Sequence, residues 1–346
     1  MLKKIVIVGA GMMGSAMSHP AAYNGHDIRI IGTPLDADII RFARDTGAHL
    51  TMRRPLPQGV RFDTADALGE AVTSADIVLC GVSSFGVDWF ADAVLPLVPE
   101  CAPVLAVTKG MIDMPDGALV PFPRVFEERS QRSLSFNAIG GPCTSYELAD
   151  HRHSSVVFCG NNPKILRMLK QTFETPYYHI SVSTDVQGVE CAVALKNAFA
   201  LGVSLAIGQI QREEGDGATL AYNPQAALFG QSVREMSRIL KIVGGQPDNI
   251  VYGAGDLYVT IFGGRTRLLG TLLGRGLPFD QAIERLQGVT LESVSIARRT
   301  VRAIRSLADA GKASLSDFPL LMHIGALLDG AVDIDVPWRA FETDDI

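Results

Sequence analysis

The chain has 346 residues, 47% hydrophobic and 20% charged, a balance that excludes wholesale disorder and allows two or three domains with cores of their own. A formal net charge of −6 argues against a nucleic-acid partner, which needs a basic face, but leaves room for a local basic pocket. Cys80, Cys101, Cys143, Cys159 and Cys191 are scattered, odd in number and without a CxxC pair, which reads as reduced thiols in a cytoplasmic protein.

The N-terminal MLKKIVIVGAG is basic and then apolar, but its apolar run is too short for a signal peptide. It predicts a strand over 5–8, followed by a helix over 12–23 and a second strand over 28–31. Further strands are expected over 77–82 and 104–107, with helical stretches near 65–74 and 87–97 between them. Strands over 136–139 and 155–159 and a helix over 163–173, opened by Asn162, complete the first half. Such alternation is the pattern of a parallel, doubly wound α/β sheet.

Beyond about residue 185 helical periods take over: 189–210, 224–243, 256–261, 268–273, 279–286, 290–310 and 319–329. The expected organisation is a Rossmann-like dinucleotide-binding domain over 1–185 and an all-α domain over 186–346 that carries substrate and catalytic residues. Its tail, 331–346, is acidic and irregular.

Gly9, Gly11 and Gly14 form GxGxxG directly after the first strand and at the start of the first helix, the context in which the motif is informative. Gly9 permits the tight turn, Gly11 lets backbone approach a pyrophosphate, and Gly14 allows close helix–strand packing. After the second strand the chain reads Gly32-Thr33-Pro34-Leu35-Asp36, so the carboxylate comes late, and the nearest downstream basic residue is Arg41. NAD and NADP both remain open.

The run CAVALKNAFALGVSLAI over 191–207 is apolar or small except at Lys196, Asn197 and Ser204. A charge at the centre of a membrane span costs roughly 2.5–3.5 kcal/mol, so a buried helix of a soluble protein is the better reading. A lysine held in apolar surroundings has its charged form disfavoured, which suits proton transfer; the alternative is a side chain that snorkels to the surface.

Lys109 closes a strand at the carboxyl edge where doubly wound sheets bind ligands, and Gly140-Gly141-Pro142 ends another. Both also fit ordinary strand ends. His151 and His153 have no companion ligands, so no metal is expected. Asp256, after Gly253-Ala254-Gly255, could cap a helix, yet it lies one turn from Thr260 on a face able to hold an ammonium. Gly264-Arg265-Thr266-Arg267 offers planar guanidinium donors suited to a phosphate, or a surface loop.

In this order the motifs GAGMMG (9–14), VSSFG (82–86), TKG (108–110), GGPCTSYEL (140–148), ALKN (194–197), GAGDLYVT (253–260) and GRTRLLG (264–270) resemble the NAD(P)-dependent glycerol-3-phosphate dehydrogenase family. The resemblance implies that Lys196 is the acid/base, that Lys109 is a second active-site lysine, and that Asp256 orients substrate and Lys196. It implies further substrate contacts at Gly141, Cys143, Asn197, Thr260, Gly264, Arg265 and Thr266. Cofactor contacts are implied at Gly9, Gly11, Met12, Met13, Gly14, Thr33, Phe85, Lys109, Ser145, Arg265 and Glu292. The cofactor would be NAD or NADP, the substrate a small phosphorylated polyol, and the assembly a homodimer.

The chain departs from the family at Gly264 and Thr266, where serine and asparagine are usual, at Cys143, at Ser145-Tyr146, and in the acidic insert over 212–219. Competing readings are a dehydrogenase of a longer polyol or sugar phosphate, a β-hydroxyacid dehydrogenase, and a dinucleotide sensor without catalysis.

Overall fold

The computed structural model describes residues 2–218, 221–286, 291–330 and 334–342. The chain divides into one unit of Met1–Lys109 and Pro121–Glu190 and another of Gly110–Val120 and Cys191–Ile346. That differs from the expected division at 185/186 in two respects. The boundary falls at Glu190, inside a helix, and the segment 110–120 groups with the helical unit, where Met111 and Leu119 are core residues. Arg299 donates to the Met111 carbonyl at 2.8 Å, and Arg302 pairs with Asp113 at 2.7 Å.

In the first unit β1 (Lys4–Val8) leads to α1 (Met12–Ala16) and α2 (Ser18–Tyr23), where one helix was expected over 12–23. Pro20 lacks the amide that would bond the Ala16 carbonyl, which accounts for the break at Met17. β2 (Asp27–Ile31), α3 (Ala37–Thr46), β3 (Arg61–Asp63), α4 (Leu68–Thr73), β4 (Ile77–Cys80), α5 (Val87–Ala93) and β5 (Val104–Ala106) follow. β6 (Met111–Asp113) and β7 (Leu119–Pro121) pair as a separate ribbon. Then come α6 (Phe122–Ser130), β8 (Phe136–Gly140), α7 (Ser145–Ala149), β9 (Ser154–Gly160), α8 (Pro163–Phe173) and β10 (Tyr178–Ser183).

Eight strands form one sheet in the order β10-β9-β8-β5-β4-β1-β2-β3. β1, β4 and β8 lie inside it, which explains their nearly unbroken apolar runs. Pairings from β3 across to β8 are parallel, but β8 and β9 run antiparallel, a correction to the wholly parallel sheet expected. A parallel neighbour needs a crossover that runs back along the strand; the five residues of α7 are too few, whereas the eleven of α8 return β10 parallel to β9. Asn162 opens α8 as expected, accepting from the Lys164 and Ile165 amides.

The helical unit comprises most of α9 (Val186–Glu214), then α10 (Tyr222–Ile242), α11 (Ile250–Ile261), α12 (Gly264–Gly274), α13 (Phe279–Arg285), α14 (Glu292–Asp309) and α15 (Pro319–Leu328). Thr219 of the acidic insert, the expected helix start at 290, and 331–333 and 343–346 of the tail lie outside the described residues. Among the described residues α9 is the one helix long and apolar enough to cross a membrane, and 89% of its most apolar stretch is buried inside the protein. It is the central helix of the core, with Leu195, Phe199 and Leu205 sealed from solvent.

Glu235, fully buried on α10, accepts from the Leu320 and Leu321 amides at 2.8 and 2.9 Å and so satisfies the orphan donors that open α15. Burial pushes its carboxyl up to about 7 although those donors pull it down. The stability tied to its protonated form is therefore complete below the ordinary value of 4.5 and is lost as pH rises through about 7. Glu235→Leu strands two buried amides and should lower stability by about 2–4 kcal/mol, read from chemical denaturation at constant pH.

Candidate functional site

In the first unit the chain ends of β1, β2 and β4 surround a cavity of 400 Å³ lined by Gly9, Gly11, Thr33, Pro34, Leu35, Asp36, Gly81, Val82, Phe85 and Trp89, among others. β1 and β4 are neighbours from which the chain winds off in opposite directions, so the cavity lies at the switch point where such sheets bind ligands. Gly9 has φ +104°, and a Cβ there would sit 2.7 Å from the Gly81 carbonyl carbon. A Cβ on Gly14 would sit 2.7 Å from the Gly9 carbonyl oxygen, so both glycines are demanded by packing within the turn. Gly11 is different. Its Cβ would meet only the Gly81 oxygen, at an ordinary 3.6 Å, so nothing in the protein itself requires glycine there. Open space beside a glycine in this turn fits the close approach of a pyrophosphate.

The turn is braced from both sides. One oxygen of Asp36 accepts from the Ala10 amide at 3.1 Å and from the Thr33 amide and hydroxyl at 2.8 Å each. The Ala10 carbonyl faces His49 Nε2 at 2.9 Å, while His49 Nδ1 accepts from the Thr51 and Met52 amides, which puts the ring proton on Nε2. Burial lowers the His49 pKa below its ordinary value, so the ring is a neutral strut. Met12 and Met13, partly buried, open α1 beside it.

Lys109 follows β5, and its ammonium donates to the Gly141 carbonyl at 3.0 Å. Thr108 beside it donates to the Val82 carbonyl at 2.6 Å, tying this loop to the end of β4. Gly141 takes φ +102° after β8, and Thr144 caps α7, so the chain turns sharply through partly buried Cys143 to buried Ser145.

In the helical unit Lys196 donates to Asp256 at 2.5 Å; the lysine side chain is 15% exposed and the aspartate 1%. Asp256 lies in the middle of α11 rather than at its start, which removes the capping alternative. The glycine before it has a packing reason: a Cβ on Gly253 would sit 2.5 Å from the Ala192 carbonyl oxygen. Backbones of α9 and α11 therefore touch at Ala192 and Gly253, and one turn farther along each helix stand Lys196 and Asp256. The Thr260 hydroxyl does not go to the ammonium as expected; it donates to the Asp256 backbone carbonyl at 2.7 Å. Asn197 is partly buried next to Lys196.

The stretch expected as a glycine loop is the first turn of α12, with Gly263 as its cap, Gly264 at φ +82° and Arg265 exposed. Gly264 and Arg265 line a cavity of 720 Å³ together with Arg267, Arg275 and Arg285, a basic pocket in an acidic chain. Thr266 is partly buried between the first two arginines, and Glu292 opens α14. The sequence reading did not single out Trp89, His49, Arg275, Arg285 or Glu190; Glu190 is the one with a sequence signal, a lone acid in an otherwise apolar helix start.

Family models for NAD-dependent glycerol-3-phosphate dehydrogenase match the chain twice, its N-terminus at residues 4–166 and its C-terminus at residues 185–337. The chain belongs to the NAD-dependent glycerol-3-phosphate dehydrogenase family. It is 33% identical over 285 residues, 82% of this chain and 83% of the relative, to an NADP(+)-dependent glycerol-3-phosphate dehydrogenase of Archaeoglobus fulgidus. It is 29% identical to the NAD(P)+ enzyme of Paracidovorax citrulli, over 94% of this chain and 93% of that one. The glycerol-3-phosphate dehydrogenase structure from Coxiella burnetii shares the fold at a TM-score of 0.77 and 21% identity, with 98% of each chain covered. The protein is thus an oxidoreductase acting on a CH–OH group with NAD or NADP, and its substrate is small and phosphorylated.

Proposed function

We propose that the chain interconverts sn-glycerol 3-phosphate and dihydroxyacetone phosphate, with Lys196 as acid/base. The observation that carries this reading is the sequestered Lys196–Asp256 pair at 2.5 Å. The nicotinamide cofactor, when bound, supplies the hydride acceptor or donor. Gly9, Gly11, Gly14, Thr33 and Phe85 would hold it in the 400 Å³ cavity, and the open side of Gly11 supports that fit. Met12, Met13, Ser145 and Glu292 are proposed as further contacts.

Lys196 gives a proton to the C2 oxygen in reduction and takes it in oxidation, with Asp256 fixing the ammonium. Lys109, held on the Gly141 carbonyl, presents a second positive charge to the substrate. Arg265, with Gly264 and Thr266, anchors the phosphate at the first turn of α12, where helix amides add to the guanidinium. Remote anchoring of that kind fixes the reacting carbon. Gly141, Cys143, Asn197 and Thr260 complete the proposed substrate contacts. A cytoplasmic homodimer is the proposed setting.

The test is oxidation of NADH and NADPH by purified protein with dihydroxyacetone phosphate and with longer ketose phosphates. No lysine or arginine lines the 400 Å³ cavity, and Asp36 does, so a 2′-phosphate there would face a carboxylate. We expect kcat/KM for NADH to exceed that for NADPH by at least about tenfold, roughly 1.4 kcal/mol. Turnover only with a longer ketose phosphate would replace the substrate, and tight cofactor binding with no turnover would make the protein a sensor.

A further inference from the structure

Glu190 has no part in the mechanism above, yet its placement is the most demanding of any carboxyl in the first unit. It is 0% exposed, on the first turns of α9, and neither oxygen has a hydrogen-bond partner among the described residues. A buried carboxyl left unpaired is unfavourable and persists where something else fixes it. The charge that acts on it is Lys109, the ammonium donated to the Gly141 carbonyl. From β9, Cys159 faces it as a buried thiol, and Asp185, just ahead of α9, acts on that thiol too.

We propose that Glu190 is a positioning residue for Lys109: while the buried carboxyl is neutral the ammonium is left to the substrate, and when the carboxyl is charged the ammonium is drawn away from it. The inference rests on the reading of Lys109 as an active-site lysine. Burial pushes the Glu190 carboxyl up to about 8, with Lys109 pulling it partly back, so at neutral pH the neutral form dominates. Cys159 does not share this window, because burial and the Glu190 charge raise its thiol well above its ordinary value. Glutamine imitates the neutral carboxyl and cannot ionise.

The experiment measures kcat and KM for dihydroxyacetone phosphate from about pH 6 to about pH 9 in the wild type, Glu190→Gln, Glu190→Leu and Lys109→Met. The wild-type KM should climb through about pH 8 toward a tenfold rise per unit, with kcat changing less. Glu190→Gln should match the wild type near pH 6 and keep a flat KM above 8. Glu190→Leu, which also cannot ionise, should show the same flat profile and serves if the glutamine variant does not fold. A wild-type KM without this limb, or a Glu190→Gln loss equal at all pH, overturns the proposal. Damage by Lys109→Met with an unaltered limb in Glu190→Gln overturns it while leaving Lys109 in place. An indifferent Lys109→Met removes both.

Discussion

Replacing Lys196 by methionine should lower kcat by about 10²–10⁴-fold, the range over which a positioned general acid or base contributes. Methionine keeps the apolar stem and removes only the proton carrier, so the surrounding helix packs as before. The cofactor cavity is built from first-unit residues alone, and dinucleotide affinity should change by no more than about twofold. Fluorescence titration with NADH and steady-state kinetics on the same preparation separate the two effects. Asp256→Asn retains an acceptor but deletes the counter-charge from a side chain that is 1% exposed, and about a 10–100-fold fall in kcat is expected. Unchanged turnover in the methionine variant would remove Lys196 from the chemistry.

The second large effect concerns stability. Gly274→Ala should destabilise the helical unit by about 3 kcal/mol or more, because a Cβ there would overlap the Leu205 carbonyl oxygen of α9. Gly208 on α9 meets the Thr271 carbonyl oxygen in the same way, and a Cβ on Gly270 would sit 2.6 Å from the Leu201 oxygen. α9 and α12 thus touch backbone to backbone along three glycines, and no side-chain rotation relieves the overlap. Helix propensity alone predicts the opposite sign, a gain of up to about 1 kcal/mol for alanine over glycine. Gly230→Ala provides the control: it lies in α10 with nothing within 4 Å of an added Cβ, and should stabilise by about 0.5–1 kcal/mol. Thermal melts of the pair should move in opposite directions, the Gly274 variant down by roughly 6–12 °C. A Gly274 variant that melts higher would contradict the close approach of the two helices.

The readable parts of the chain were those where one local pattern decides. Val8 and the glycines after it give strand, turn and helix within a few residues, and the structure places Gly9 and Gly11 in one cavity with Thr33 and Phe85. Asn162 announces α8 through its own side chain. Less legible were β3, β6 and β7, three residues each, because so short a strand shows no alternation and takes its partners from elsewhere in the chain. β10 alternates buried and exposed residues at its start and was within reach, although no strand was expected there.

Alone, the sequence determined the glycine turn, the change from alternating to helical periods near residue 185, and the isolation of Lys196 in an apolar run. Only the tertiary structure decided that Gly253 is a contact between helices instead of a loop residue, and that Asp256 consequently meets Lys196 sixty positions away. It likewise decided that 110–120 groups with the helices and that β9 runs against β8. A glycine reads the same in a turn and at a helix crossing, since what distinguishes them is the backbone lying opposite, and that backbone is remote in the chain.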